Sequence, residues 1–332
     1  MEANKLAARY AKLDIQGDPL VHLNEVIPWE RFRPTLQKAL KKLKKSEAGR
    51  KPYDYVMMFK LLVLQALYNL SDAQAEYQVR DRLSFIRFLK LSLDEEVPDE
   101  KTIWLYRERL KEAKVLENLF EQFNGYLNSH GFQAKCGTLV DASIVEVPKQ
   151  RNSREENKEI KSGKSPEEWA NQPEKQRQKD VEARWTKKNH QNYYGYKNHV
   201  NVDVMYKFIR KYIVTPASQG DITCLEGLLK KGNTDNDIWA DKAYRSEKTE
   251  EMLKAKGYTS RIHYKGFISP SEKRWNYRYS KIRARVEHVF GFITNSMKGN
   301  FIRTVGLARA EFKIGMNNLV YNFCRYSHYA RA

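Results

Sequence analysis

Cysteine is nearly missing. Cys136, Cys224 and Cys324 are the three in the chain and they form no C-x-x-C pair, which argues against a disulfide framework or a zinc finger and fits a reducing compartment. Long apolar runs are also lacking: the most hydrophobic stretch, "VMMFKLLVLQALYNL" at 56–70, is too short and too interrupted to cross a bilayer. The opening "MEANKLAARYAKLD" has no unbroken apolar core of the kind a signal peptide carries, so export is not indicated and a cytoplasmic location is expected. Negative charge is in deficit, with 41 Asp and Glu against 60 Lys and Arg, a formal net charge of +19. Self-repulsion of that size is easier to understand if a polyanion neutralises it, and with no membrane span in view nucleic acid is the leading partner. What is present suffices for folding: 332 residues, 41% of them hydrophobic, support a substantial core and about two domains.

Residues 1–130 read as helical. "DYVMMFKLLVLQALYNL" is apolar on most sides and is expected to be a buried core helix, and "SDAQAEYQVRDR" follows it with Ser71 as N-cap and Gln74 at the capping-box position. A further helical stretch begins at Asp99, with Trp104, Leu105, Leu110, Val115, Leu116, Leu119 and Phe120 as its expected buried stripe. Short helices followed by a basic one suggest a helix-turn-helix-like, DNA-binding region. Arg80, Arg82, Arg107 and Arg109 are candidate phosphate contacts there, although the surface arginines of any helical bundle would look the same. The run Lys38, Lys41, Lys42, Lys44, Lys45, Arg50 and Lys51 is of a kind that is more often a solvated face or tail than a binding site, but it adjoins a helical module, which favours a DNA contact.

Residues 131–332 change character. "TLVDASIVEVP", "KNHVNVDV", "KFIRKYIVTPA", "DIWADKAY" and "TSRIHYKG" read as strands, and "SEKTEEMLKAKGY" as a helix with a C-terminal glycine. "DITCLEGLLKKG" reads as a helix capped by Asp221 and closed by Gly232. Strands with crossover helices, preceded by a hairpin-like set, predict an α/β domain on a mixed sheet. Into it is set a charged insertion at about 149–193, nearly devoid of aliphatic residues and so not expected to build a core of its own; it is a mobile surface segment or one ordered by nucleic acid.

Three carboxylates stand in expensive places. Asp141 interrupts the apolar "TLVDASIV", Asp241 ends "DIWAD" where the ligand crevice of an α/β sheet lies, and Glu287 shares a helix face with Arg283 at i,i+4 in "RARVEHVFGF". Singly, each has a plain structural explanation: a strand-end cap or ion pair, an Asx turn, a helical ion pair. Together they are able to hold hard divalent cations through oxygen alone, Mg²⁺ or Mn²⁺, and two such ions about 4 Å apart activate a hydroxyl and stabilise a leaving oxygen in phosphodiester chemistry. Arg283, Lys242, Lys197 and His199 are the candidate DNA contacts around that set, the last two sharing one face of a strand.

In order along the chain, "YDYVMMFKLLVLQALYNLSDAQAEYQVRDRLSFIRFLKLS", "PDEKTIWLYRERL", "TLVDASIVEVP", "YYGYKNHV", "YIVTPASQGDITCLEGLL", "IWADKAYRS", "RARVEHVFGFI" and "NNLVYNFCR" resemble a DDE transposase of bacterial insertion sequences, in the insertion-sequence-five group of the insertion-sequence-four-like superfamily. The resemblance covers nearly the whole chain. It implies an RNase H-like (retroviral integrase-like) catalytic domain behind an all-helical DNA-binding domain, with Asp141, Asp241 and Glu287 as metal-binding acidic triad. It further implies a homodimer that pairs terminal inverted repeats, cuts the double-stranded DNA and joins the freed ends to target DNA. One departure stands out. The wider family's helix carries a tyrosine, an arginine, the glutamate and a lysine; here Arg283 and Glu287 match, but Ser280 and Thr294 occupy the tyrosine and lysine positions, with Tyr279 and Lys298 out of register. A transposase-derived DNA-binding protein without catalysis, and an RNase H-like RNA nuclease, are the alternatives.

Overall fold

The computed structural model describes residues 2–40 and 52–331, so Lys41, Lys42, Lys44, Lys45, Arg50 and Lys51 of the basic run lie outside the described residues. The chain divides into two units, one of Met1–Tyr126 with Leu319–Ala332 and the other of Leu127–Asn318.

The first unit is helical: α1 (Glu2–Ile15), α2 (Pro19–Val26), α3 (Trp29–Leu40), α4 (Tyr55–Tyr68), α5 (Asp72–Asp81), α6 (Leu83–Leu89), α7 (Glu100–Glu112) and α8 (Val115–Ser129), the last running past the boundary. A helix apolar all round must be covered all round, and α4 buries its residues from Val56 through Ala66. It starts where the Asp54 carboxylate accepts from the Val56 and Met57 amides. Ser71 and Gln74 form the expected capping box of α5, and Asp99 caps α7 by accepting from the Thr102 amide. Inside the unit Phe323 makes edge contacts with Phe123 at 4.7 Å and Trp29 at 5.6 Å, and also packs on Phe32 and Phe59. Lys60 is buried with its ammonium over the Trp29 and Phe88 rings; it donates to Asn24 Oδ1 at 2.6 Å, and desolvation pulls it down to about 8.

One expectation for this unit needs correction. Trp104 and Leu105 are 45% and 40% exposed, because α7 turns Ile103, Tyr106 and Leu110 inward at i, i+3 and i+7, leaving their neighbours on the outer side. Arg82 and Arg107 are committed internally: the first lies over the Phe85 ring at 4.3 Å, and the second grips Asp72 through both terminal nitrogens at 2.5 and 2.8 Å. Arg80 pairs with Glu76 at 3.1 Å, and Arg109 is half-buried on α7.

The second unit is built on a six-stranded mixed sheet of β1 (Thr138–Glu146), β2 (Arg184–Lys188), β3 (Gln191–Asp203), β4 (Ile209–Pro216), β5 (Asp237–Ala240) and β6 (Thr259–Ile262). The order is β2-β3-β1-β5-β6, with β4 also paired to β3. β3 is antiparallel to β1, β2 and β4, while β1, β5 and β6 are parallel to one another. Parallel neighbours require crossovers. Between its strands and after them the unit carries α9 (Arg154–Lys161), α10 (Pro173–Gln178), α11 (Leu225–Leu228), α12 (Glu247–Ala255), α13 (Pro270–Gly291) and α14 (Leu307–Tyr329), of which α11 and α12 serve the crossovers and α14 is divided between the two units. One face of the sheet is closed by Val140, Leu225, Leu228, Ala240, Leu253 and Ile262. The alternate residues face the other way, where Val145, Tyr194, Tyr196, Ile302 and Ile314 form a second core.

Residues 221–232 do not form one helix. A 3-10 turn at Asp221–Cys224 leads into α11, which ends at Leu228, and the Asp221 carboxylate is held by Lys197 Nζ at 2.7 Å rather than capping. The insertion is a larger correction, since it folds. Ser153 and Glu156 make a capping box on α9, and the fully buried Trp169 donates its indole N–H to Glu156 Oε1 at 2.7 Å. Hydrogen bonds from Lys175, whose Nζ stands 2.8 Å away, and then from Trp169 pull the Glu156 carboxyl down to about 2. Buried Asp180 accepts from the Tyr196 hydroxyl and from the Ala183 and Gly306 amides. One large ring and the hydrogen-bonded Glu156 and Asp180 replace the aliphatics that the segment lacks. Among the described residues no helix is long and apolar enough to cross a membrane.

Candidate active site

The three parallel strands bring separate parts of the chain to one edge. Val140 is in register with Ala240, and Ala240 with Ile262. The next residue along each strand direction is Asp141, Asp241 and His263, so these three follow one another across the carboxyl edge, the region where α/β sheets bind ligands. The His263 amide donates to the Ala240 carbonyl at 3.2 Å, which holds the third member to the second. Against β1 and β5 packs α13, the helix that carries Arg283 and Glu287.

An open cavity of about 690 Å³ lies at this edge. Asp241, Lys242 and Ala243 line it after β5; His263, Tyr264, Lys265, Gly266 and Ile268 line it after β6; Asn276 and Arg283 line it from α13. In a continuing strand Lys242 would point to the opposite side from Asp241. The strand stops at Ala240 and turns, so both residues face the same space. Three cationic side chains against one carboxylate suit an anionic guest.

The electrostatics follow from the packing. Arg283 reaches Asp241 Oδ2 at 3.1 Å, and Asp241 Oδ1 accepts from its neighbour's amide at Lys242. Asp141 Oδ1 accepts from the Ala142 amide at 2.8 Å. Desolvation pushes the Asp141 carboxyl above its ordinary value, opposed by that amide and by the positive charges of Arg283 and of Lys188 on β2. His263 is pulled below its ordinary value, first by desolvation and then by Arg283, and its Nε2 is buried with no hydrogen-bond partner among the described residues. Asn276 clamps the loop opposite, accepting from the Tyr264 amide at 2.8 Å and donating to its carbonyl at 3.1 Å.

Other sequence candidates are placed differently. Glu287 is exposed on α13, one turn beyond Arg283 on the ridge that Asn276 begins. His199 is fully buried with its Nε2 against Thr215 Oγ1 at 2.9 Å, so it presents no outer edge to a nucleic acid. Lys197 is tied to Asp221 and to the Gln219 carbonyl. Tyr279, out of register with the family's tyrosine, is a core residue with its ring edge-on to Trp239, whereas Ser280 is exposed. Among the described residues no group of three or more His, Cys, Asp or Glu side chains stands close enough to hold a metal ion. The aspartate pair supplies the oxygen donors that a hard cation takes, and Asp141 is a desolvated carboxylate such a cation would satisfy; among the described residues no third carboxylate groups with them.

Residues 132–323 match the protein family described as Transposase DDE domain, and residues 8–109 the one described as Transposase domain (DUF772). Among solved structures, the chain is matched to a cryo-EM structure of the piggyBac transposase synaptic complex with hairpin DNA, at 12% identity and a TM-score of 0.44, over 93% of this chain and 75% of that one.

Proposed function

Because the match at 132–323 spans more than half of its length, the chain belongs to the transposase DDE domain family, and on that premise we propose that it is a metal-dependent DNA transposase of the insertion-sequence-five group. In this reading a homodimer binds the terminal inverted repeats of its own element, cleaves the strands and transfers them to target DNA. The observation that carries the proposal is the register that sets Asp141 beside Asp241 at the edge facing α13. The sheet order supports an RNase H-like domain: antiparallel strands joined through β1 to a parallel pair.

Asp141, Asp241 and Glu287 would hold Mg²⁺ or Mn²⁺, two ions per site, and the bound ions would supply Lewis-acid stabilisation of the phosphodiester oxygens. The chain's own contribution is positional. Arg283 fixes Asp241 and offers a guanidinium to a phosphate, a geometry suited to charge-assisted hydrogen bonds. Lys242 and Lys265 neutralise the backbone at the crevice mouth. Glu287, exposed on the ridge shared with Arg283, would be the third carboxylate of the set.

Asp141→Asn, Asp241→Asn and Glu287→Gln are each expected to abolish nicking of labelled terminal repeats in Mg²⁺ while leaving repeat binding largely intact, since ligation of ions and neutralisation of phosphates are separate contributions. A variant that still nicks removes its residue from the site. The exposed Glu287 and the Asp241–Arg283 ion pair favour a second reading, a transposase-derived protein that binds DNA without cutting it. Binding of the repeats by the wild-type protein with no nicking or joining would select that reading.

A further inference from the structure

We infer that the solvent face of the first half of α13 carries the sugar-phosphate backbone of the DNA strand entering the crevice; the inference rests on the DNA-directed reading above and deepens it. Between residues 273 and 286 the helix holds Lys273, Arg274, Arg278, Lys281, Arg283 and Arg285 and not one Asp or Glu. Two of the six are used internally, Arg283 on Asp241 and Arg285 on the Val204 carbonyl. Lys273, Arg274, Arg278 and Lys281 are exposed and make no ion pair among the described residues. Arg278 lies above the Trp275 ring at 5.0 Å and Lys281 above the Tyr277 ring at 4.6 Å. Exposed helices ordinarily intersperse opposite charges at i,i+4, whereas here Arg274 and Arg278, and Lys281 and Arg285, are like-charged pairs at that spacing. Such a face lacks its counter-charge.

Position supplies the direction. Asn276 and Arg283 line the crevice, and Lys273, Tyr277 and Lys281 form the adjoining ridge at i, i+4 and i+8. From Lys273 to Lys281 the helix rises about 12 Å, far enough for the two ammonium groups to meet different phosphates of one strand. The ridge therefore offers cations to more than one phosphate of a strand that runs along the helix beside the crevice lined by Asn276 and Arg283. Tyr277, 66% exposed, adds a flat ring on which an unpaired base stacks. Contacts of this kind neutralise and position; they do not read sequence.

The test compares the full-length protein with Lys273→Gln/Arg274→Gln/Arg278→Gln/Lys281→Gln, and with a charge-matched control, Lys161→Gln/Lys164→Gln/Lys248→Gln/Lys254→Gln, on exposed positions elsewhere in the sheet unit. Binding to a fluorescein-labelled duplex of about 30 base pairs and arbitrary sequence is followed by anisotropy from about 50 to about 200 mM salt, with thermal unfolding to check folding. Loss of four phosphate contacts should flatten the slope of log K against log salt by about 3 to 4 for the α13 variant, and by about half of that for Lys273→Gln/Lys281→Gln, which also serves if the fourfold variant unfolds. The control should keep the wild-type slope. An unchanged slope in both α13 variants, or an equal loss in the control, overturns the inference and leaves the transposase reading standing. A wild-type protein that does not bind the duplex overturns both.

Discussion

His199 shows what a single buried side chain commits the protein to. Its ring is fully enclosed, Nδ1 has no hydrogen-bond partner among the described residues, and desolvation holds the imidazole down to about 4 against an ordinary 6.5, with Lys197 adding to the depression and Asp221 opposing it. The unfolded chain therefore binds the proton first. Stability from this residue is complete above about pH 6.5 and is lost as the pH falls towards 4, by up to about 3 kcal/mol. Urea midpoints should accordingly drop between neutral pH and pH 5, and His199→Gln should lose part of that drop; an equal pH dependence in the variant would show that other groups cause it. The same enclosure is why a lysine and histidine two apart on a strand, read from sequence as an outward pair, turned out to be a core residue and a partner of Asp221. Alternation fixes which residues share a face of a strand but not whether that face meets water.

At the scale of elements, the insertion is the informative case. Trp169 is its largest buried side chain, and it anchors Glu156, which in turn holds Lys175. Trp169→Ala should remove about 3–5 kcal/mol from the packing of this segment. Limited proteolysis is the measure: cleavage within 150–180 should accelerate strongly, and a variant cut no faster than wild type would mean that the ring contributes little. Local signals were legible, as Ser71, Gln74 and Asp99 show, because a cap is written within four residues. Hydrophobic runs likewise gave β1, β3, β4, β5 and β6 in order, whereas β2 lies in the charged insertion and was missed. The phase of α7 was not legible, since Trp104 and Leu105 are as apolar as the residues that turned inward. Nor was the insertion's fold, because the burial of Trp169 depends on Glu156, thirteen residues away. In the site, Asp141 and Asp241 announced themselves by breaking apolar strands, but their adjacency depends on the Val140–Ala240 register, which no local pattern encodes. His263 went unnoticed; the available signal was its place directly after Ile262, the final apolar residue of the third parallel strand.

At the scale of the molecule, the helical unit is assembled from two distant stretches of sequence, Met1–Tyr126 and Leu319–Ala332. Phe323 comes from the second stretch and is fully buried among Trp29, Phe32, Phe59 and Phe123 from the first. Phe323→Ala should therefore cost about 3–5 kcal/mol in the helical unit, although the substitution lies about 200 residues downstream of that unit's other helices. A fragment of residues 1–126 should show weakened helical circular dichroism and a broadened thermal transition, both restored by supplying residues 319–331 as a peptide; a fragment that melts as sharply as the whole protein would contradict this. During synthesis the ribosome releases the first helices early, yet their central aromatic arrives only after the whole β-sheet has been translated. The nascent helices must thus wait with an unfilled core, and chaperone demand should be greatest in that interval.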